Sequence, residues 1–258
     1  MPTAQVDELD IDFDAERVWD LTRHPKQLPF IWDRHRFAVW QGGRGSTKTI
    51  STVWRVLTTC YKVEDDDGNM MDYDDWDVRP EWEGADILIA DPVSKQLSRG
   101  PLARFDEVFD DTGLIVQRIG GDNPRRHLEG GITVYFFNVG PQGEGAEAWR
   151  GAAYAIFAPD ETAQMPEKSF MLGNATLRQK RANGTSYAYQ TIITTTPLGE
   201  NWLWKRLLNP ETRATYHTRD FAGMRTIAAE DEYRVPLFMH RGEQIYFRFK
   251  LDRLYERV

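Results

Sequence analysis

Gly42-Gly43-Arg44-Gly45-Ser46-Thr47-Lys48-Thr49 decides how the rest of this sequence is read. Just ahead of it stands Arg36-Phe37-Ala38-Val39-Trp40, a short apolar run that reads as a buried strand. Just behind it, Ile50, Val53, Trp54, Leu57 and Tyr61 recur at the spacing of a helix with one buried face. A glycine-rich turn between strand and helix, closed by a lysine and a hydroxyl residue, is the pattern of a phosphate-binding loop. Glycines accept positive φ, so successive N–H groups can turn inward around phosphate oxygens. The helix starting near Thr49 aims its partially positive end at the same oxygens. The pattern predicts that Gly42, Gly43, Arg44, Gly45, Ser46, Thr47, Lys48 and Thr49 bind a nucleotide such as ATP, with Lys48 at the β- and γ-phosphates and the Thr49 hydroxyl in the shell of a Mg²⁺ ion. One position departs from the commonest pattern: Thr47 stands where glycine is usual. If that site requires positive φ, a β-branched residue there costs about 1–2 kcal/mol.

A phosphate loop binds nucleotide, whereas hydrolysis also needs a metal anchor and a means of activating water. Tyr154-Ala155-Ile156-Phe157-Ala158-Pro159-Asp160-Glu161 offers both. An apolar strand ending in two acids puts them at the carboxyl edge of a sheet, where ligands of α/β folds sit. Asp160 is the expected Mg²⁺ residue, and Glu161 the expected general base for the attacking water. Gln190 to Thr196 reads as the next strand, and its end, Thr194-Thr195-Thr196-Pro197, sets a hydroxyl cluster at the same edge. Those hydroxyls could sense the γ-phosphate, although threonine's preference for strands accounts for part of the run. Arg150 precedes the acid-bearing strand, so it is expected at the opposite edge, able to reach a neighbouring subunit's nucleotide as an arginine finger. Arg44, inside the loop, competes for that part from within the same chain.

Elsewhere residues 87–90 read as a strand and 102–109 as a helix. Residues 114–119 and 132–137 are expected to pair as a hairpin, and 172–181 to form a helix stopped at Asn183-Gly184. Apolar strands alternating with helices predict an α/β fold, a mostly parallel sheet with helices on both faces. Residues 1–35 read as an acidic N-terminal arm, 36–210 as the ATPase core and 211–258 as a C-terminal extension. The acidic stretch 64–83 reads as a surface insertion.

The 258 residues are 41% hydrophobic and 28% charged, ordinary for a globular chain, and no apolar run approaches the roughly 20 residues of a membrane span. Cys60 is the sole cysteine, which excludes an internal disulfide, and five scattered histidines give no zinc spacing. The net charge of −8 argues against a protein that holds nucleic acid by its whole surface. A DNA contact would need a local patch, for which Arg178, Lys180, Arg181, Lys205 and Arg206 are candidates beside the reading that they are simply solvated.

Taken together, the Gly-Gly-Arg-Gly-Ser-x-Lys-Thr loop, the Arg150-Gly151 ahead of the acid strand, the Asp160-Glu161 pair and the Thr-Thr-Pro strand end resemble the ATPase domain of the large terminase subunit of tailed bacteriophages. Order and spacing match from about residue 27 to 205. The resemblance implies a RecA-like P-loop fold of the additional-strand, catalytic-glutamate type. It implies a homo-oligomeric ring, pentameric when assembled, as against a monomer in isolation. It also implies viral portal protein and small terminase subunit as partners, and ATP-driven movement of double-stranded DNA into a capsid at the portal vertex in the host cytoplasm, with no membrane involved. In it Lys48, Asp160 and Glu161 keep the roles given above, Arg150 acts in trans, and Thr194, Thr195 and Thr196 form the coupling motif. The nuclease domain usual in such subunits is not expected, because the stretch after the Thr-Thr-Pro element is too short for it. Two other readings remain open: a different DNA-dependent P-loop ATPase of helicase or recombinase type, and an ATP-binding structural switch with little turnover.

Overall fold

A computed structural model describes residues 27–205, apart from 44, 66–70, 93–96, 98 and 141, together with the backbone of two later strands. In chain order the elements are α1 (Leu28–Trp32), β1 (Phe37–Gln41), α2 (Lys48–Cys60), β2 (Tyr61–Lys62), β3 (Asp77–Val78), β4 (Asp86–Asp91), α3 (Pro101–Phe109), β5 (Ile115–Ile119), β6 (Arg125–Leu128), β7 (Thr133–Asn138), β8 (Ile156–Pro159), α4 (Glu167–Ala175) and β9 (Gln190–Thr195). The later pair, β10 (Glu232–His240) and β11 (Glu243–Lys250), forms an antiparallel ribbon.

Seven strands make one sheet in the order β1-β9-β8-β4-β7-β6-β5. The pairs from β1 to β7 run parallel, and β6 and β5 close one side antiparallel. This is the expected α/β P-loop architecture. Period-two alternation divides the core between the two sheet faces. Ile87, Ile89, Val134, Phe136 and Ile156 pack with α2 and α3, whereas Leu88, Ala90, Phe157 and Ile193 pack with Trp149 and Phe170. Burial on both faces explains why β4, β8 and β9 read as continuous apolar or threonine-rich runs.

Two sequence expectations are corrected. The segment 114–119 does not pair with 132–137: a further strand, β6, lies between them and bonds to both. Its Arg-Arg-His-Leu sequence hides it, because Arg126 is buried through a two-pronged pair with Asp106, at 2.7 and 2.6 Å. The helix placed at 172–181 instead spans Glu167–Ala175. The residues after it turn extended, with Leu177 bridging Tyr154 and Lys180 bridging Ser186. Asn183-Gly184 is therefore the turn of a small hairpin, with Gly184 at φ 80, rather than a helix stop. The described end of the N-terminal arm, residues 27–35, includes Phe30 and Ile31, which pack in the core beside α2. The acidic stretch 64–83 is likewise tied down, through the β2–β3 pair and the buried Trp76 and Trp82; its Gly68-Asn69 lies outside the described residues.

Candidate nucleotide site

Because β1, β9 and β8 are adjacent and parallel, the turns leaving their carboxyl ends must meet at one sheet edge. The loop after β1 starts where the Gly42 N–H donates to the Thr195 carbonyl, 3.1 Å away at the end of β9. It then curls back on itself: the Ser46 hydroxyl donates to the Gly43 carbonyl at 2.8 Å. A Cβ at Gly42 would overlap the Ser46 hydroxyl and force it off the Gly43 carbonyl. Thr47 has φ 54 and ψ 25, the left-handed conformation that the glycine pattern demands. The strain foreseen for a β-branched residue is therefore present, and its hydroxyl is buried without a partner. Arg44 lies outside the described residues.

Lys48 opens α2 and is buried, its Nζ donating to the Gly43 carbonyl at 3.1 Å and standing 3.5 Å from Glu161 Oε1. Thr49 donates its hydroxyl to Asp160 Oδ2 at 2.6 Å. Asp160, 4% exposed, also accepts from the Thr194 hydroxyl at 2.6 Å and the Glu161 N–H at 3.0 Å, both on Oδ1. Burial pushes its carboxyl up, the hydroxyls of Thr194 and Thr49 oppose that, and the neighbouring Glu161 charge adds to it. Glu161 itself has φ 43 and ψ 43, a left-handed non-glycine residue at a strand end, where such strain is often found beside a site. Its carboxylate accepts the Thr196 N–H on Oε2 at 3.0 Å and the Thr196 hydroxyl on Oε1 at 2.9 Å. Thr195 accepts the Ala163 N–H at 3.0 Å.

Lys48, Thr49, Asp160, Glu161 and the three threonines thus come together at one edge, although they stand far apart in sequence. Arg150 does not join them. It ends the short 3-10 segment Glu144–Trp149, is 69% exposed, and pairs with Glu147 at 2.6 Å. Of the basic candidates, Arg178 donates to the Ala152 carbonyl, Lys180 to the Ser186 hydroxyl, and Arg181 lies over the Tyr187 ring. Arg206 lies outside the described residues. Gln27 escaped sequence reasoning: its side-chain amide donates to the Ser46 carbonyl at 3.1 Å, and its buried Oε1 has no partner. No local pattern marks it, since the contact spans 19 residues.

These residues suit a nucleotide triphosphate with Mg²⁺. The loop carries a buried lysine and a hydroxyl left without a partner, and the Thr49–Asp160 pair offers the hard oxygens that Mg²⁺ prefers.

No protein-family model and no curated protein matches the sequence. The fold is that of large terminases. The large terminase of a thermophilic bacteriophage superposes with a TM-score of 0.50 at 17% identity, over 69% of this chain and 40% of the terminase. The same protein in complex with ADP gives 0.51 at 14% identity, over 75% and 42%. The chain therefore spans less than half the length of the terminases it matches.

Proposed function

We propose that this chain is the ATP-hydrolysing motor domain of a viral DNA-packaging terminase. The observation that carries the reading is the 3.5 Å approach of Lys48 to Glu161, beside the Thr49–Asp160 contact. A phosphate-loop lysine, a metal-anchoring acid and a general base at one point form the constellation that phosphoanhydride hydrolysis requires. In this reading Thr49 and Asp160 hold Mg²⁺, which when bound neutralises charge on the phosphate oxygens. Lys48 exchanges the Gly43 carbonyl and Glu161 for the β- and γ-phosphates. Glu161 orients water and accepts its proton. Thr194, Thr195 and Thr196 link the state of that carboxylate to β9. Arg150, exposed and paired at the surface with Glu147, would exchange that weak ion pair for a neighbouring subunit's nucleotide. The ring, the portal and small-subunit partners, double-stranded DNA as the load and a place at the portal vertex in the host cytoplasm belong to the same proposal.

Phosphate release by the purified chain, with and without double-stranded DNA, tests it. ATP-dependent release stimulated by DNA and lost in Lys48→Ala is expected. Arg150→Ala should leave a monomer's ATP affinity intact and remove assembly-dependent activity, whereas equal loss in a strictly monomeric assay would assign Arg150 a role within its own chain. A second reading draws on the strained Thr47: an ATP-bound switch with little turnover. Tight ATP binding with background phosphate release, DNA or not, would select it.

A further inference from the structure

The hydroxyl groups at the end of β9 have three different targets. Thr194 serves Asp160, Thr195 receives the Ala163 N–H, and Thr196 grips Glu161. We propose that Thr196 is the positioning residue for the Glu161 carboxylate, an inference that rests on reading Glu161 as the general base.

A glutamate side chain turns about three bonds, and freezing it costs up to about 2 kcal/mol of rotamer entropy. Glu161 is 21% exposed, so burial does not freeze it. Lys48 stands 3.5 Å from its Oε1, and Thr196 donates to both of its oxygens. The lysine cannot keep that post while it reaches toward phosphates, so the lasting hold must come from Thr196. That residue is built for it. It stands just beyond the last paired residue of β9, so its N–H is released from the sheet ladder and donates to Glu161 Oε2 instead. Pro197 follows, and a residue before proline is confined to extended conformations, which keeps Thr196 from turning into a helix. The remainder of the strand end is anchored independently. The Thr162 hydroxyl donates to the Thr194 carbonyl at 3.1 Å, and Gly42 to the Thr195 carbonyl. One donor on each oxygen leaves each a lone pair, so the carboxylate is oriented yet still able to accept a proton from water.

Thr196→Val keeps the β-branch and the N–H and removes only the hydroxyl; Thr196→Ser restores it. Two measurements on the full chain decide the matter. In the nucleotide-free protein, a urea-unfolding double-mutant cycle of Thr196→Val with Glu161→Ala should show coupling, the double variant's unfolding constant differing about tenfold from the product of the single effects. In steady-state phosphate release, Thr196→Val should lower kcat about tenfold, the size of one hydrogen bond to a charged group, with affinity for a non-hydrolysable fluorescent ATP analogue unchanged within about twofold. Thr196→Ser should recover most of kcat. An additive cycle, or a Thr196→Val variant that loses nucleotide affinity in step with kcat, overturns the proposal. If Glu161→Ala turns over like the parent, the general-base reading itself falls. If Glu161→Ala is inactive while Thr196→Val matches the parent, only the role of Thr196 falls.

Discussion

Asp160 and Asp86 sit at opposite ends of neighbouring strands, and burial raises the carboxyl of both. Their partners differ in kind. Asp160, just past β8, is ringed by the hydroxyls of Thr49 and Thr194, each turning on a single bond and able to donate elsewhere. Asp86, first in β4, has the Tyr135 hydroxyl beside it but is clasped by a planar amide: its N–H donates to Gln179 Oε1 at 2.7 Å and its Oδ2 accepts from Gln179 Nε2 at 3.2 Å. That amide also donates to the Gly84 carbonyl at 3.0 Å, so releasing Asp86 would unfasten the extended segment after α4 from the sheet. Rotatable hydroxyls make a polar network that can be exchanged for a ligand. A rigid amide makes one that can only hold. The carboxyl edge is built for exchange and the amino edge for closure.

The largest effects should fall at the exchangeable end. Lys48→Ala removes a buried cation from the loop, and nucleotide affinity should drop by about a hundredfold or more in a titration with a fluorescent ATP analogue. Glu161→Gln should separate binding from chemistry: turnover falls about 10²–10⁴-fold while analogue affinity stays within a few-fold. Unchanged turnover would remove Glu161 from the catalytic position.

Asp160→Asn sharpens the contrast further. Mg²⁺-dependent turnover should fall at least about a hundredfold, because the amide contributes no negative charge to the metal. Yet in metal-free buffer the thermal midpoint should rise, since the variant no longer holds a buried charge beside Glu161. A midpoint that falls instead would mean that the threonine hydroxyls stabilise the carboxylate by more than its burial costs.

Legibility in the sequence follows the same division between local and distant causes. The phosphate loop could be read because strand, glycine turn and helix are contiguous, and even the conformation at Thr47 followed from the pattern it interrupts. The Asp160-Glu161 pair could be read because an apolar strand announces its own end. Strand β6 could not, since the buried Arg126 is paired with Asp106, 20 residues away. Nor could the extended segment after α4, whose conformation depends on Tyr154 and Asp86 across the sheet edge. The run of threonines was visible as a cluster, but its division of labour was not: Thr196 meets Glu161 across 35 residues. Sequence showed which residue types stand at the edge, and packing decided which hydroxyl serves which acid.

The smallest effect should come from the closed end, where it reads out in stability alone. Desolvation raises the Asp86 carboxyl from 3.8 to about 6, and the Tyr135 hydroxyl only partly opposes it. Between those two values the unfolded chain loses this proton while the folded chain keeps it, so ionisation favours unfolding. The stabilising contribution is complete below pH 3.8 and is lost as pH rises through about 6. Because Asp86 is only partly buried, solvent screening leaves a cost on the order of 1 kcal/mol at neutral pH. Asp86→Asn keeps an acceptor for Gln179 and cannot ionise. Its urea midpoint relative to the parent should therefore climb from about pH 4.5 to about 7 and then level off, with ATP turnover unaffected. A difference between the two that is flat across that range would show that Asp86 is solvated in the folded protein, and the contrast between the two sheet edges would narrow to their hydrogen-bond partners alone.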